Sequence, residues 1–213
     1  MKTLYKRLIS ISMVIFCSVL LFTSCEDFLA EKPYDFYDEQ DFYKDVSELE
    51  LAVNGAYEVL SQKMTYGHFM LVNDCDTDLS HIKGSGTGHT ARDLGHYNIY
   101  TSHNWLEEAW GYYYTGIDRV NRIMANKDRV DLPDETSQAT FKRLIAEARL
   151  LRGICYFDLV RMWGDVPFKL TASDKTENFA VTRTDREEVY QQIVDDMEAA
   201  VADLPWYNEV SSY

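Results

Sequence analysis

Residues 146–168 read AEARLLRGICYFDLVRMWGDVPF. Extended back to Phe141, the stretch places apolar side chains at Phe141, Leu144, Ile145, Ala148, Leu151, Cys155, Leu159 and Met162. Steps of three and four lay these on one helix face, a stripe broad enough to be buried. Arg149, Arg152 and Arg161 fall mostly off the stripe, where their stems can cover apolar surface while the heads stay in water. The end is signalled too. Gly164 can take the positive φ of a residue just past a helix at no steric cost, and Pro167 prevents the helix from resuming. The stretch predicts a long buried helix that stops at Trp163-Gly164.

The same periodicity recurs on either side. Ser47-Glu48-Leu49-Glu50 reads as a capping box, with Val46 and Leu51 placed as a hydrophobic staple. It opens a helix whose apolar positions are Leu49, Val53, Ala56, Tyr57, Leu60 and Met64. A less regular helix is expected over about 66–82, with Phe69, Val72, Cys75, Leu79 and Ile82 facing inward. Residues 83–101 break every period, because Gly84, Gly86, Gly88 and Gly95 interrupt a run rich in His, Asn and Tyr. This predicts a long irregular loop, and long loops on compact domains often carry binding sites.

From about Ser102 a third helix carries Trp105, Ala109, Tyr113, Gly116, Ile117, Val120 and Met124. The fourth is the stretch first quoted, starting near Asp134. Thr184-Asp185-Arg186-Glu187 is a second capping box. It opens a fifth helix with Val189, Ile193, Met197, Val201 and Leu204, stopped by Pro205. No run alternates as a strand does. The expected class is all-α, as helix pairs of a tetratricopeptide-like α-solenoid. Gly153 and Phe157 stand in the small-x-x-x-aromatic spacing of such repeats.

The first 24 residues read as a leader rather than as part of the fold. Lys2, Lys6 and Arg7 form a basic start, and Leu8 to Phe22 a largely apolar run of 15 residues, short of the ~20 that span a bilayer. The run ends in Leu21-Phe22-Thr23-Ser24-Cys25, which resembles a lipobox except at Phe22. Cys25 is therefore the predicted lipid-attachment site. Glu26-Asp27 resembles the acidic signal of surface-exposed lipoproteins. The leader holds three of the 21 basic residues and none of the 35 acidic ones, which leaves the rest of the chain at net −17. Such a surface repels phosphate backbones, so nucleic acid is not an expected partner. With Cys17 in the leader and Cys25 acylated, Cys75 and Cys155 remain, both in apolar helical patterns and without any C-x-x-C pair.

Several patterns invite chemistry that their context does not support. Gly84-x-Gly86-x-Gly88 lacks the preceding strand and following helix of a phosphate loop. His81, His89, His96 and His103 recur every seven or eight residues, not at the spacing of metal ligands on a helix. Asp74, Asp76 and Asp78 lack the glycine and the distal glutamate of a calcium loop. Neither a metal nor a cofactor is implied. The aromatics are more informative. Tyr and Trp can stack a flat apolar face on a sugar ring while their polar tips bond its hydroxyls. Trp110, Tyr113, Tyr156 and Phe157 have core packing to explain them. Tyr97, Asn98, Tyr100, Asn104 and Trp105 have less, and these five are the ligand-binding candidates.

Taken in order, the leader, SELELAVNGAYEVL, WLEEAWGYYYTGIDRVNRIMANKD, AEARLLRGICYFDLVRMWGDVPF and TRTDREEVYQQIVDDMEAAVADLP resemble the SusD/RagB family of outer-membrane nutrient-binding lipoproteins. The most specific part is Glu147 to Pro167, which follows the family pattern E-A-R-x-L-R-x-x-x-Y-F-x-L-V-R-x-[WY]-G-D-V-P almost letter for letter. The resemblance implies a non-enzymatic lipoprotein, anchored in the outer membrane and exposed at the cell surface. It would capture an oligosaccharide and deliver it to a TonB-dependent transporter. The quoted helix then belongs to the scaffold and not to the binding site. Family members run to more than twice this length, so residues 25–213 are expected to form an incomplete N-terminal helical domain, with the fifth helix only partly covered. A generic tetratricopeptide adaptor or a surface glycoside hydrolase is the alternative that the helices and the many acids leave open.

Overall fold

The computed structural model describes residues 42–67, 77–79, 90–173 and 181–206, which fall in the unit Asp41–Tyr213. Among them five α-helices carry the fold: α1 (Val46–Ser61), α2 (Thr90–Gly95), α3 (Asn104–Asn126), α4 (Glu135–Trp163) and α5 (Arg186–Val201). Cys25, Cys75, Asp74, Asp76, His81, His89, the Gly84–Gly88 run and most of the expected helix at 66–82 lie outside the described residues.

The predicted all-α class holds, and α4 is its axis. Its start and its stop fall where the sequence places them. The Asp134 side chain accepts from the Ser137 amide at 2.7 Å. At the other end Gly164 takes φ 74° and its amide donates to the Val160 carbonyl at 2.9 Å. The helix packs against α1, α3 and α5. On α3, Ala109, Tyr113 and Ile117 share a core cluster with Cys155, Tyr156, Leu159 and Val160, and Val189 and Ile193 of α5 join them. Lower in the bundle Val120 and Ile123 pack with Leu144, Ala148, Leu151 and, from α1, Leu49, Val53 and Ala56. Ascending positions on α3 thus meet descending positions on α4, so the two run antiparallel. Gly116 sits where three helices meet. A Cβ there would stand 3.0 Å from Cys155 Sγ and 3.2 Å from Val59 Cγ1, closer than a packed interior allows. Burial pushes the Cys155 thiol up to about 12, which keeps it an inert small apolar group.

Local details differ from the sequence reading. Helix α1 is capped by Asp45 and not by Ser47. Asp45 Oδ1 accepts from the Glu48 amide at 3.0 Å, and Glu48 Oε2 accepts from the Lys44 amide at 2.7 Å. Glu48 thus reaches back past the cap to the residue before it, and the cap falls two residues early, since a carboxylate accepts more strongly than a hydroxyl and Ser47 Oγ itself donates to Asp45. Leu51 is therefore exposed and forms no staple. Leu79, expected inward, lies in a turn and is 93% exposed. The loop at 83–101 contains α2, whose Leu94 is buried in the core. Helix α5 is capped by Asp185, which accepts from the Glu187 amide at 2.8 Å, and it ends before Leu204-Pro205. Its buried positions are Val189, Ile193, Asp196 and Ala200, whereas Val201 is exposed. Phe157, assigned to the core, is partly exposed, with the Arg161 guanidinium 5.2 Å above its ring.

The largest difference concerns Arg152, expected to keep its head in water. It is buried and forms a bidentate pair with Asp196 of α5, Nε to Oδ2 and Nη2 to Oδ1, both at 2.8 Å. Its Nη1 donates to Asn121 Oδ1 of α3 at 2.9 Å. Asn121 Nδ2 in turn reaches the carbonyls of Lys169 and Thr171, each at 3.1 Å. One buried polar chain thus links α5, α4, α3 and the segment after α4.

That segment is held along its length. Val166–Pro167 (β1) pairs antiparallel with Arg183–Thr184 (β2), Val166 opposite Thr184, a two-residue ladder that the sequence reading lacks. The Tyr156 hydroxyl donates to the Lys169 carbonyl and accepts from its amide, both at 2.8 Å. Farther on, Asp118 Oδ1 accepts from the Ser173 amide at 2.7 Å, while Arg122 bonds both Asp118 Oδ2 and the Ser173 carbonyl at 2.9 Å. Burial works against the Asp118 charge, but Ser173 and Arg122 together outweigh it and hold the carboxyl below the usual carboxylate range. A carboxyl whose folded value is depressed stabilises fully above its unfolded value, near 3.9, and loses that contribution as pH falls through the lower, folded value. Asp118→Asn is accordingly expected to melt lower than the parent at neutral pH, by under about 1 kcal/mol because the pair is partly exposed. The two melting curves, measured against pH, should converge in acid. A gap that persists at low pH would assign the loss to packing instead.

Candidate functional site

The site is built by the chain on either side of His103. Helix α2 closes in a tight turn: His96 donates to the Arg92 carbonyl, Tyr97 to Leu94 and Asn98 to Asp93, at 2.9, 3.1 and 2.8 Å. Tyr97 takes φ 58° to make it, an uncommon value for a non-glycine residue. With Leu94 buried, this turn holds Tyr97, Ile99 and Tyr100 out at the surface. His103, fully buried, then precedes α3, and its ring lies 5.3 Å from that of Tyr100.

The first turns of α3 project Leu106, Glu107, Trp110 and Tyr114 at helical spacing. Trp163, the last residue of α4, meets Trp110 edge to face, with centroids 5.2 Å apart and planes at 81°. Tyr114 continues the ridge at 5.0 Å from Trp110. Its hydroxyl donates to the Pro167 carbonyl at 2.6 Å. Burial first, and then the neighbouring Tyr156, raise the Tyr114 phenol far above its ordinary range, so it remains a donor. The positive φ of Gly164 turns the chain back so that Pro167 reaches this hydroxyl. The ridge is therefore fixed by packing and by backbone bonds.

In front of the ridge lies an open groove of about 730 Å³. Ile99, Leu106, Trp110 and Trp163 form its apolar surface, and Tyr100, Thr101, Ser102 and Glu107 supply the polar groups. A second groove of about 290 Å³ shares Trp110 and is lined by Tyr114, Pro167, Lys169, Ser173 and Val181. Among the described residues no group of three His, Cys, Asp or Glu is placed to hold a metal ion, and no helix is long and apolar enough to cross a membrane.

Of the five sequence candidates, Tyr100 alone lines the larger groove. Tyr97 and Asn98 stand exposed in the turn before it, and Asn104 is exposed at the first residue of α3. Trp105 is half-buried against the core on another side of the helix. The residues that the sequence reading missed are Leu106, Glu107, Trp110 and Trp163. The sequence assigns Trp110 to the core and Trp163 to the end of the scaffold helix. Each does pack, yet each also lines the groove. The signal that finds them is the tertiary pairing of two tryptophans from different helices. Chemically the described lining offers aromatic rings, hydroxyls and the carboxylate of Glu107.

The chain is similar to known proteins along most of its length. The sequence profile of a SusD-like family, described as "Starch-binding associating with outer membrane", matches residues 27–212. SusD-like protein P25 of Formosa agariphila is 28% identical over 188 residues, 85% of this chain and 35% of that one. SusD-like protein P2 of the same organism is 28% identical over 191 residues, 88% and 37%. Among solved structures, a SusD homolog from Bacteroides thetaiotaomicron superposes with TM-score 0.72 at 27% identity, covering 81% of this chain and 32% of that one. A laminarin-binding SusD-like protein does so with TM-score 0.67 at 26% identity, covering 76% and 35%. The chain spans little more than a third of the length of the curated relatives it matches.

Proposed function

The chain belongs to the SusD-like family, whose profile it matches over residues 27–212, and from that premise we propose that it is a cell-surface lipoprotein that binds oligosaccharide and passes it to a TonB-dependent transporter. The observation that carries the binding reading is the ridge of Trp110 and Trp163 above an open groove edged with hydroxyls. A pyranose presents C–H groups on its faces and hydroxyls around its rim, and this surface matches both. Tyr100 bonds and stacks within the groove, while Tyr97 and Asn98 meet the ligand at its approach. Asn104 is a secondary candidate from the same stretch, whereas Trp105, which packs against the core without lining the groove, belongs to the scaffold in this proposal. The family description and the laminarin-binding relative support a glycan as the ligand class. Calorimetric titration of the purified chain with laminarin- and starch-derived oligosaccharides tests this reading. Co-purification with an outer-membrane barrel tests the transporter.

The anchor in this proposal is Cys25, on the strength of the leader and the lipobox-like Leu21 to Cys25. Cys25→Ala is expected to abolish incorporation of labelled palmitate and to release the protein from the membrane fraction. A variant that keeps both label and membrane would remove the anchor from Cys25.

A further inference from the structure

Resting on the oligosaccharide reading of the larger groove, we infer that its ligand is a neutral glycan and that Glu107 sets the discrimination against uronate-bearing and sulfated chains. The argument is one of charge. Glu107 is the only charged residue in the described lining, which holds no Lys, Arg or His. Lys169 lines the smaller groove instead. A carboxylate only accepts hydrogen bonds, and its two oxygens can take a pair of neighbouring sugar hydroxyls in short, charge-assisted bonds. A uronate or sulfate group brings further acceptors and a like charge. A site shaped for such a group presents a guanidinium or ammonium, which pairs with it in geometry and in sign. Here the groove presents the opposite, on a chain whose formal net charge is −14 and whose field acts in the same direction. The remaining lining suits a neutral sugar: ring faces from Trp110 and Trp163, and hydroxyls from Tyr100, Thr101 and Ser102.

Two like charges about 5 Å apart at a partly screened surface are enough to weaken binding roughly tenfold or more. The test is calorimetry on the purified chain with matched hexasaccharides: neutral β-1,3- and α-1,4-glucans against oligogalacturonate and a sulfated galactan, at low and high salt. A neutral oligosaccharide is expected to bind at least about tenfold tighter than either anionic one at low salt, with the gap narrowing as salt screens it. Glu107→Gln keeps a hydrogen-bonding side chain without the charge and is expected to close most of that gap. An anionic oligosaccharide that binds as tightly as the neutral ones overturns the inference and leaves the oligosaccharide reading standing. A gap that is unchanged in Glu107→Gln overturns the role of Glu107. Binding of none of the four removes the oligosaccharide reading and this inference with it.

Discussion

Asp196→Ala should destabilise the chain by about 3–5 kcal/mol, a fall in melting temperature of roughly 10–15 °C for a domain of this size. The variant does not simply remove one contact. It strands the Arg152 guanidinium in the core, where both carboxylate bonds at 2.8 Å disappear and water cannot replace them. Asn121 is left as the partner of one nitrogen. Asp196→Asn, which keeps an acceptor, should cost less. Replacing both partners, Arg152→Met with Asp196→Leu, should recover most of the loss, because an apolar pair carries no desolvation penalty. The residue of the cost would reflect Asn121, whose Oδ1 loses its donor. Thermal melts followed by circular dichroism decide the matter. An Asp196→Ala variant that melts within about 2 °C of the parent would mean that the buried pair contributes nothing.

Arg152 also marks the limit of what a helix pattern can tell. Its partner is 44 residues away in sequence, and no periodicity on α4 indicates that Asp196 will arrive at that height on α5. The features that were legible are those fixed by one segment alone: the stripe of α4, the cap at Asp134, the left-handed Gly164, the break at Pro167. The α1 cap failed by two residues because two cap-competent side chains, Asp45 and Ser47, stand close together and only relative acceptor strength chooses between them. Leu51 and Phe157 were misplaced for a related reason. An apolar residue at the edge of a stripe is buried only if a neighbouring helix covers it there.

The site was less legible than the fold. Choosing residues that lacked a packing role picked out Tyr100, which lines the groove, and passed over Trp110, because a partly buried tryptophan was assumed to be wholly spent on the core. Packing and binding are not exclusive for so large a ring. Trp110 packs edge to face with Trp163 and still lines the groove.

That dual role makes Trp110→Ala the most informative variant for binding. It is expected to weaken affinity for a neutral gluco-oligosaccharide by about 2 kcal/mol, roughly 30-fold. The mutation removes the central stacking face and withdraws support from Trp163 and Tyr114 on either side. Some stability will also be lost, less than the ~3–5 kcal/mol for a fully buried tryptophan, because Trp110 is only half-buried. Trp105→Ala supplies the contrast. Trp105 lies one and a half turns away and packs against the core without lining the groove, so its loss should lower the melting temperature and leave affinity within about threefold of the parent. Each variant needs both a melt and a titration. If Trp105→Ala loses binding while Trp110→Ala keeps it, the ligand sits on the other face of α3, and the ridge of Trp110 and Trp163 is scaffold alone.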